Sequence, residues 1–370
     1  MLKRRNGSES EGGAENSEQA IRFICAQYLT TDCLWHEPRS LPRCMMYMPD
    51  HLRPTHTPSS SSRALSGQAS FAEWQARWQQ TSRSQTQAVC LLLFYRSHLQ
   101  SANTAMFDGL IEALEEQGIK PLPVAVASLK DPESIALVNA LIEQSDASLI
   151  INTTGFASNT VASPDLASEP TEFYSPFKRK LPVLQLVLSS STEEDWQTYS
   201  QGLRSRDIAM QVVLPEMDGR ILTRAISFKA ESYFDPHTEI SVIRYQLHAE
   251  RAAFVAQLAL KYCTLSQTPN AQKRLALILA NYPTKDGRIG NGVGLDTPAS
   301  SINILKALQA AGYPVEQIPE DGDALIEALL EAVTNNPNTL HMLPCWQSMA
   351  LADYQYYFDQ LIGRVLLRSI

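Results

Sequence analysis

The chain has 370 residues, with 31 Lys or Arg against 39 Asp or Glu, a formal charge of −8 at pH 7. Hydrophobic residues make up 44% and charged residues 19%, a balance that excludes wholesale disorder. The acidic excess argues against a nucleic-acid or membrane-surface binder, since both need a positive field. The longest apolar run, Ala88 to Tyr95, falls far short of the ~20 residues that cross a bilayer.

Lys3, Arg4 and Arg5 lead into no apolar segment, so no secretory signal is expected. Six cysteines without a CxxC pair fit a cytoplasmic protein with reduced thiols. Residues 1–18, rich in Gly, Ser and Glu, read as a disordered tail. Residues 19–87 read as a short helical region with a Ser/Pro-rich linker: helices over Gln19–Leu29 and Phe71–Trp78, linker composition over Arg53–Ser70. Cys25, Cys33, Cys44, His36, His51 and His56 match no compact zinc spacing, and the string CMMYM at 44–48 suits core or loop better than copper.

A first α/β region is expected over 88–265. Ala88–Tyr95, Pro121–Ala127 and Ala147–Asn152 are apolar runs of strand length. Between them, Asn103–Gln117 and Pro132–Gln144 carry helical periodicity. Strands without polar alternation are buried on both faces, which predicts an α/β fold of flavodoxin- or Rossmann-like units, parallel sheets covered by helices. The expectation continues with a strand at Pro182–Leu188 and a helix at Thr192–Gly202. Short strands follow at Ile208–Leu214 and Arg220–Phe228, then one long helix at Ser241–Tyr262. A second α/β region over 266–370 opens with a strand at Arg274–Tyr282 and a Gly-rich loop. Helices follow at Thr297–Ala311, with Thr297 as cap, and at Leu325–Val333.

In open parallel sheets ligands bind beyond the carboxyl ends of strands. Arg96 and His98 follow the first strand, Thr153, Thr154 and Gly155 the third. Glu216, Asp218 and Arg220 follow Leu214, and Asn281, Lys285, Asp286 and Arg288 follow Ala280. His98 suits proton transfer or metal contact, or is simply a solvated histidine. Glu216 is a candidate general base, metal ligand or ion-pair partner. The loop Lys285–Asp296 (KDGRIGNGVGLD) holds four glycines, among them Gly290, Gly292 and Gly294. Such a loop before a helix presents N–H groups to an anion, or makes a tight turn. It is neither GxGxxG nor GxxxxGK[ST], so no ATP site is expected on this chain.

The stretch LILANYPTKDGRIGNGVGLDTPASSINILKAL (277–308) resembles the signature of the large subunit of the aerobic, ATP-dependent cobaltochelatases, a family that includes the porphyrin-binding H subunit of magnesium chelatase. LFYRSHLQSANT (93–104), PLPVAVASLKDP (121–132), INTTGFA (151–157) and VVLPEMDGRILTRAISFK (212–229) fit in the same order. The resemblance implies insertion of Co²⁺, as substrate metal, into the tetrapyrrole hydrogenobyrinic acid a,c-diamide in cobalamin biosynthesis. It implies ATP and Mg²⁺ on an AAA+ ATPase subunit and its companion subunit, not on this chain. Arg96, Arg288 and the glycine loop are then candidates for the ring's acidic arms, with Asn281, Lys285, Asp286 and Asp296 beside them. Glu216 and His98 are candidates to accept the pyrrole protons and to hold the incoming metal. The chain is shorter than the family's members and is expected to be a partial one, its second region truncated. A non-catalytic remnant or interaction module, a magnesium-type porphyrin subunit and an unrelated α/β enzyme are the alternatives.

Overall fold

The computed structural model describes residues 12–29, 31–52, 67–80, 88–158, 175–200, 202–280, 289, 290, 292, 294–334, 336, 338 and 340–366. They fall into two compact units, 1–267 and 268–370.

The first unit opens with helix α1 (Ala14–Tyr28), strand β1 (Cys44–Tyr47), strand β2 (Gln68–Ala69) and helix α2 (Phe71–Gln80). The helix α1 starts inside the stretch whose composition points to disorder. The CMMYM string is core: Met45, Met46, Tyr47 and Met48 are all buried. Then come β3 (Val89–Tyr95), the single turn α3 (Ser97–Gln100), α4 (Ala105–Glu116), β4 (Lys120–Val126), α5 (Pro132–Ser145), β5 (Leu149–Asn152) and β6 (Val183–Leu188). With β7 (Ile221–Asp235) and β8 (Ile240–Leu247), all eight strands among the unit's described residues share one sheet in the order β2-β1-β4-β3-β5-β6-β7-β8. From β4 to β7 neighbouring strands are parallel, while β1 and β8 flank that core antiparallel. Counting only the parallel strands in chain order gives 2-1-3-4-5, the doubly wound arrangement, whose direction reverses between β3 and β5.

The expectation of two-sided burial holds residue by residue. Along β3, Cys90, Leu92 and Phe94 enter a cluster with Phe107, Leu110 and Leu114 of α4. The alternate residues Val89, Leu91 and Leu93 enter a second cluster with Val138, Leu141 and Ile142 of α5. Leu91, Leu92 and Leu93 have 0% exposure, and each such side chain contributes about 1.5–3 kcal/mol of burial. The helix α5 is well signalled: Asp131 accepts from Ser134 N at 2.9 Å and Pro132 occupies the first turn.

Two expectations in this unit are corrected. Ile208–Leu214 is helical, not a strand. After α6 (Glu193–Thr198), α7 (Ser205–Ile208) runs through a π-helical turn (Ala209–Val213) into α8 (Leu214–Met217). The side chains one turn apart decide it. Asp207 accepts from Ser190 N and Oγ at 2.8 and 2.9 Å, and Gln211 bonds both the N–H and the C=O of Leu188 at 2.8 Å. A helix thus satisfies the open end of β6, which a strand at this place would leave bare. Nor is Ser241–Tyr262 one helix. Ile221–Asp235 forms a long β7, Ile240–Leu247 pairs with it as β8, and α9 (Ala249–Gln267) begins only afterwards. The β-branched run ISVI takes the hairpin pairing that β7 offers.

The second unit contains α10 (Thr297–Ala310), α11 (Gly322–Leu330) and α12 (Leu351–Leu366). No regular strand forms over 274–280, the described part of the expected Arg274–Tyr282 strand. Leu275, Leu277 and Ile278 stay exposed there, at 55%, 47% and 89%. The helix α10 is capped by Asp296 rather than Thr297, its Oδ1 accepting from Ala299 N at 3.0 Å.

Candidate functional site

A buried polar network links the carboxyl ends of β3 and β5 to the amino-terminal half of β6 and the amino end of β7. Asn152, last residue of β5, donates to Gln185 Oε1 at 2.7 Å and to Thr154 O at 3.0 Å. Gln185 of β6 donates to Thr154 O at 3.1 Å. Arg220, at the foot of β7, closes the set. Its NH1 donates to Gln185 Oε1 at 3.2 Å, and its NH2 to Ser158 Oγ at 2.5 Å and Asp218 Oδ2 at 2.8 Å. Both side chains of the Arg220–Asp218 pair are only 3% exposed. Burial pulls the Arg220 guanidinium down from its ordinary value while Asp218 opposes the pull. An ion pair this deep holds its geometry because breaking it leaves a bare buried charge. Tyr95, last residue of β3, donates its hydroxyl to Gly155 O at 2.9 Å. Burial, opposed by nearby Arg220, raises the Tyr95 phenol above its usual range and keeps it a neutral donor.

The sequence candidates take different places around this network. Arg96 is buried, and its NH1 donates to Leu41 O at 3.2 Å and Pro42 O at 3.0 Å, clamping the chain that enters β1. His98 lies on α3 with its ring 5.0 Å from Phe107 and 5.7 Å from Tyr245. Burial among those rings lowers it to about 4, so the imidazole is neutral at pH 7. Glu216 is exposed on α8, one turn before the buried Asp218–Arg220 pair. Arg96 and His98 follow the carboxyl end of β3, Glu216 precedes the amino end of β7, and each has its own surroundings. Among the described residues, no three His, Cys, Asp or Glu side chains gather as a metal site.

In the second unit Gly292 O accepts from Leu295 N at 3.3 Å, and Gly294 has φ 73°. This is a tight turn with glycine where a positive φ is needed. Gly290, with φ 68°, sits 3.7 Å from Leu279 at the position a Cβ would take. Asp296 already serves the first turn of α10. Asn281, Lys285, Asp286 and Arg288 lie outside the described residues.

Sequence reasoning passed over Asn152, Gln185 and Ser158. The signal for the first two is present in the chain: a single amide inside the apolar strands LIIN and VLQLVL. A polar side chain there has to find partners or cost stability.

A family model described as CobN/Magnesium Chelatase matches residues 9–367. The chain belongs to the CobN/magnesium chelatase family. The aerobic cobaltochelatase subunit CobN of Pseudomonas aeruginosa is 45% identical over 354 residues, covering 96% of this chain and 26% of that protein. The CobN of a Sinorhizobium species is 42% identical over 276 residues, 75% of this chain and 21% of that one. Among solved structures, the catalytic subunit of cobaltochelatase from Mycobacterium tuberculosis superposes with a TM-score of 0.60 at 29% identity, over 88% of this chain and 24% of its own. The chain therefore spans about a quarter of the length of these relatives and is homologous to one part of a CobN-type subunit. No described helix is long and apolar enough to cross a membrane.

Proposed function

We propose that this chain is the part of an ATP-dependent cobaltochelatase large subunit that presents the sheet edge built on β3, β5 and β6 to a tetrapyrrole. The observation that carries the reading is the buried network Asn152–Gln185–Arg220–Asp218. It makes that edge rigid and polar in a chain 45% identical to a cobaltochelatase subunit. In this reading Co²⁺ and hydrogenobyrinic acid a,c-diamide are the substrates. ATP and Mg²⁺ act on an AAA+ ATPase subunit and its companion, in keeping with the missing GK[ST] loop here.

Two protons leave the ring for each metal that enters, so a base has to stand near it. Glu216, exposed beside the rigid pair, is the proton acceptor and transient oxygen ligand of this reading. His98, with its proton affinity lowered and its ring against Phe107 and Tyr245, supports the edge by packing. Asn281, Lys285, Asp286, Arg288 and the turn through Gly290, Gly292 and Gly294 contribute donors to the ring's acidic arms. Asp296 caps helix α10.

Titration of the chain with hydrogenobyrinic acid a,c-diamide, followed by absorbance and by quenching of protein fluorescence, tests the reading. Saturable binding at micromolar ligand is expected, and its absence overturns the proposal. In a complete large subunit carrying this region, Glu216→Ala lowers the rate of insertion more than the affinity for the ring. Unchanged turnover removes Glu216 from the mechanism.

A further inference from the structure

Beyond the carboxyl ends of β3, β4 and β5, where the strand order reverses, the surface folds into a cleft of about 240 Å³. Tyr95, Ser128, Lys130, Gly155, Phe156 and Ser158 line it. Its walls are fixed. Tyr95 is tied to Gly155, and Ser158 is held by Arg220 through its hydroxyl and by Asp218 through its amide, at 2.5 and 2.6 Å. Its charge is one-sided. Lys130 is exposed, and among the described residues no carboxylate pairs with it. The neighbouring Asp131 is already used by Arg43 at 2.7 Å and by Ser134 at 2.9 Å, and Asp218 is used by Arg220.

Phe156 adds the second clue. It holds φ 65°, a region that bulky side chains avoid, while its ring stays 52% exposed at the cleft. Its amide donates to Met210 O at 2.7 Å, so the helical segment over the sheet edge pins the residue there. Burial does not explain a large aromatic ring kept in strained backbone and in water. Such outliers gather at ligand clamps.

We infer that the cleft binds a carboxylate carried on a short flat or apolar arm. The arm lies against Phe156 and Tyr95, and the carboxylate meets Lys130 and the Ser128 hydroxyl. The volume is below the ~300 Å³ at which pockets for whole drug-sized ligands begin, so it admits an arm and not a macrocycle. Two sources share this chemistry: a side arm of the tetrapyrrole, which rests on the proposed function, and a free small carboxylate, which does not.

The full chain is titrated with 3-phenylpropionate, with 3-phenylpropionamide and with inorganic phosphate, by calorimetry and by amide shifts at residues 128–130 and 155–158. The acid is expected to bind with a Kd on the order of 1 mM, and the amide and phosphate about tenfold more weakly. Lys130→Gln brings the acid down to the amide's affinity and leaves the amide alone. Phe156→Gly weakens acid and amide together, and because glycine accepts the positive φ freely, unfolding does not account for that loss. Equal binding of acid and amide, no effect of Lys130→Gln, phosphate binding as tightly as the acid, or no binding to the wild-type chain each overturns the inference. Competition of hydrogenobyrinic acid a,c-diamide with 3-phenylpropionate assigns the cleft to a ring arm, and simultaneous binding assigns it to a free carboxylate. Failure of the acid to bind while the ring still titrates refutes the cleft and leaves the proposed function standing.

Discussion

Two apolar stretches of similar composition have opposite fates in this molecule. VCLLLFY becomes β3, paired on both sides and fully buried along its length except at Tyr95. RLALILA, residues 274–280, remains without a described partner strand, with Ile278 at 89% exposure. Composition and length do not separate them. What separates them is supply: β3 is flanked by β4 and β5 and covered by α4 and α5, while the second unit offers 274–280 helices but no strand among the described residues. A strand is a property of its neighbours as much as of its own residues.

Hydrogen exchange sharpens the contrast most. Amides of residues 90–94 should exchange only through global opening, roughly 5–15 kcal/mol above the native state, and those of 274–280 at near-unprotected rates. Equal protection of the two stretches would mean that the second finds a strand partner in solution. The next largest effect is at the polar edge of the first unit. Asp218→Ala leaves Arg220 charged and buried and should cost roughly 3–5 kcal/mol in that unit's denaturant unfolding. A loss below ~1 kcal/mol, the value of a surface pair, would show that water reaches the network.

His98 gives the first unit a pH response of its own. Between pH 6.5 and about 4 the unfolded chain takes up a proton that folded His98 refuses. The stability from keeping it neutral is complete above pH 6.5 and drains away as pH falls toward 4, by about 3 kcal/mol in total. His98→Phe keeps a ring beside Phe107 and Tyr245 and should flatten this slope in unfolding curves at pH 4.5 to 7, values set by that about-4 to 6.5 window. An unchanged slope places the titration elsewhere. The smallest change is in the second unit: Asp296→Ala removes the cap of α10 and should cost about 1 kcal/mol, read as lost helical signal on mild heating.

The first unit was legible because its strands are apolar throughout and its helices carry clear start signals, such as Asp131 with Pro132. The two misread segments of the first unit share one cause. Ile208–Leu214 and Ser241–Leu247 are rich in β-branched and long apolar side chains that suit helix and strand alike, and distant partners decide them. Gln211 and Asp207 turn the first into helix by bonding the end of β6, and the length of β7 turns the second into strand. The candidate site divides the same way. Arg220 and Asp218 were visible as charged residues at a strand exit, but their burial and their ties to Asn152 and Gln185 depend on pairing of β5, β6 and β7. That Arg96 clamps Leu41 and Pro42 is likewise a long-range fact, set across more than fifty residues.

Where the ring touches this chain is the claim on which the functional reading turns. Hydrogen exchange with and without saturating hydrogenobyrinic acid a,c-diamide measures it directly. The account predicts new protection at residues 95–98, 153–158 and 216–220. Protection confined to other stretches, with these three unchanged by a ligand that demonstrably binds, would contradict it.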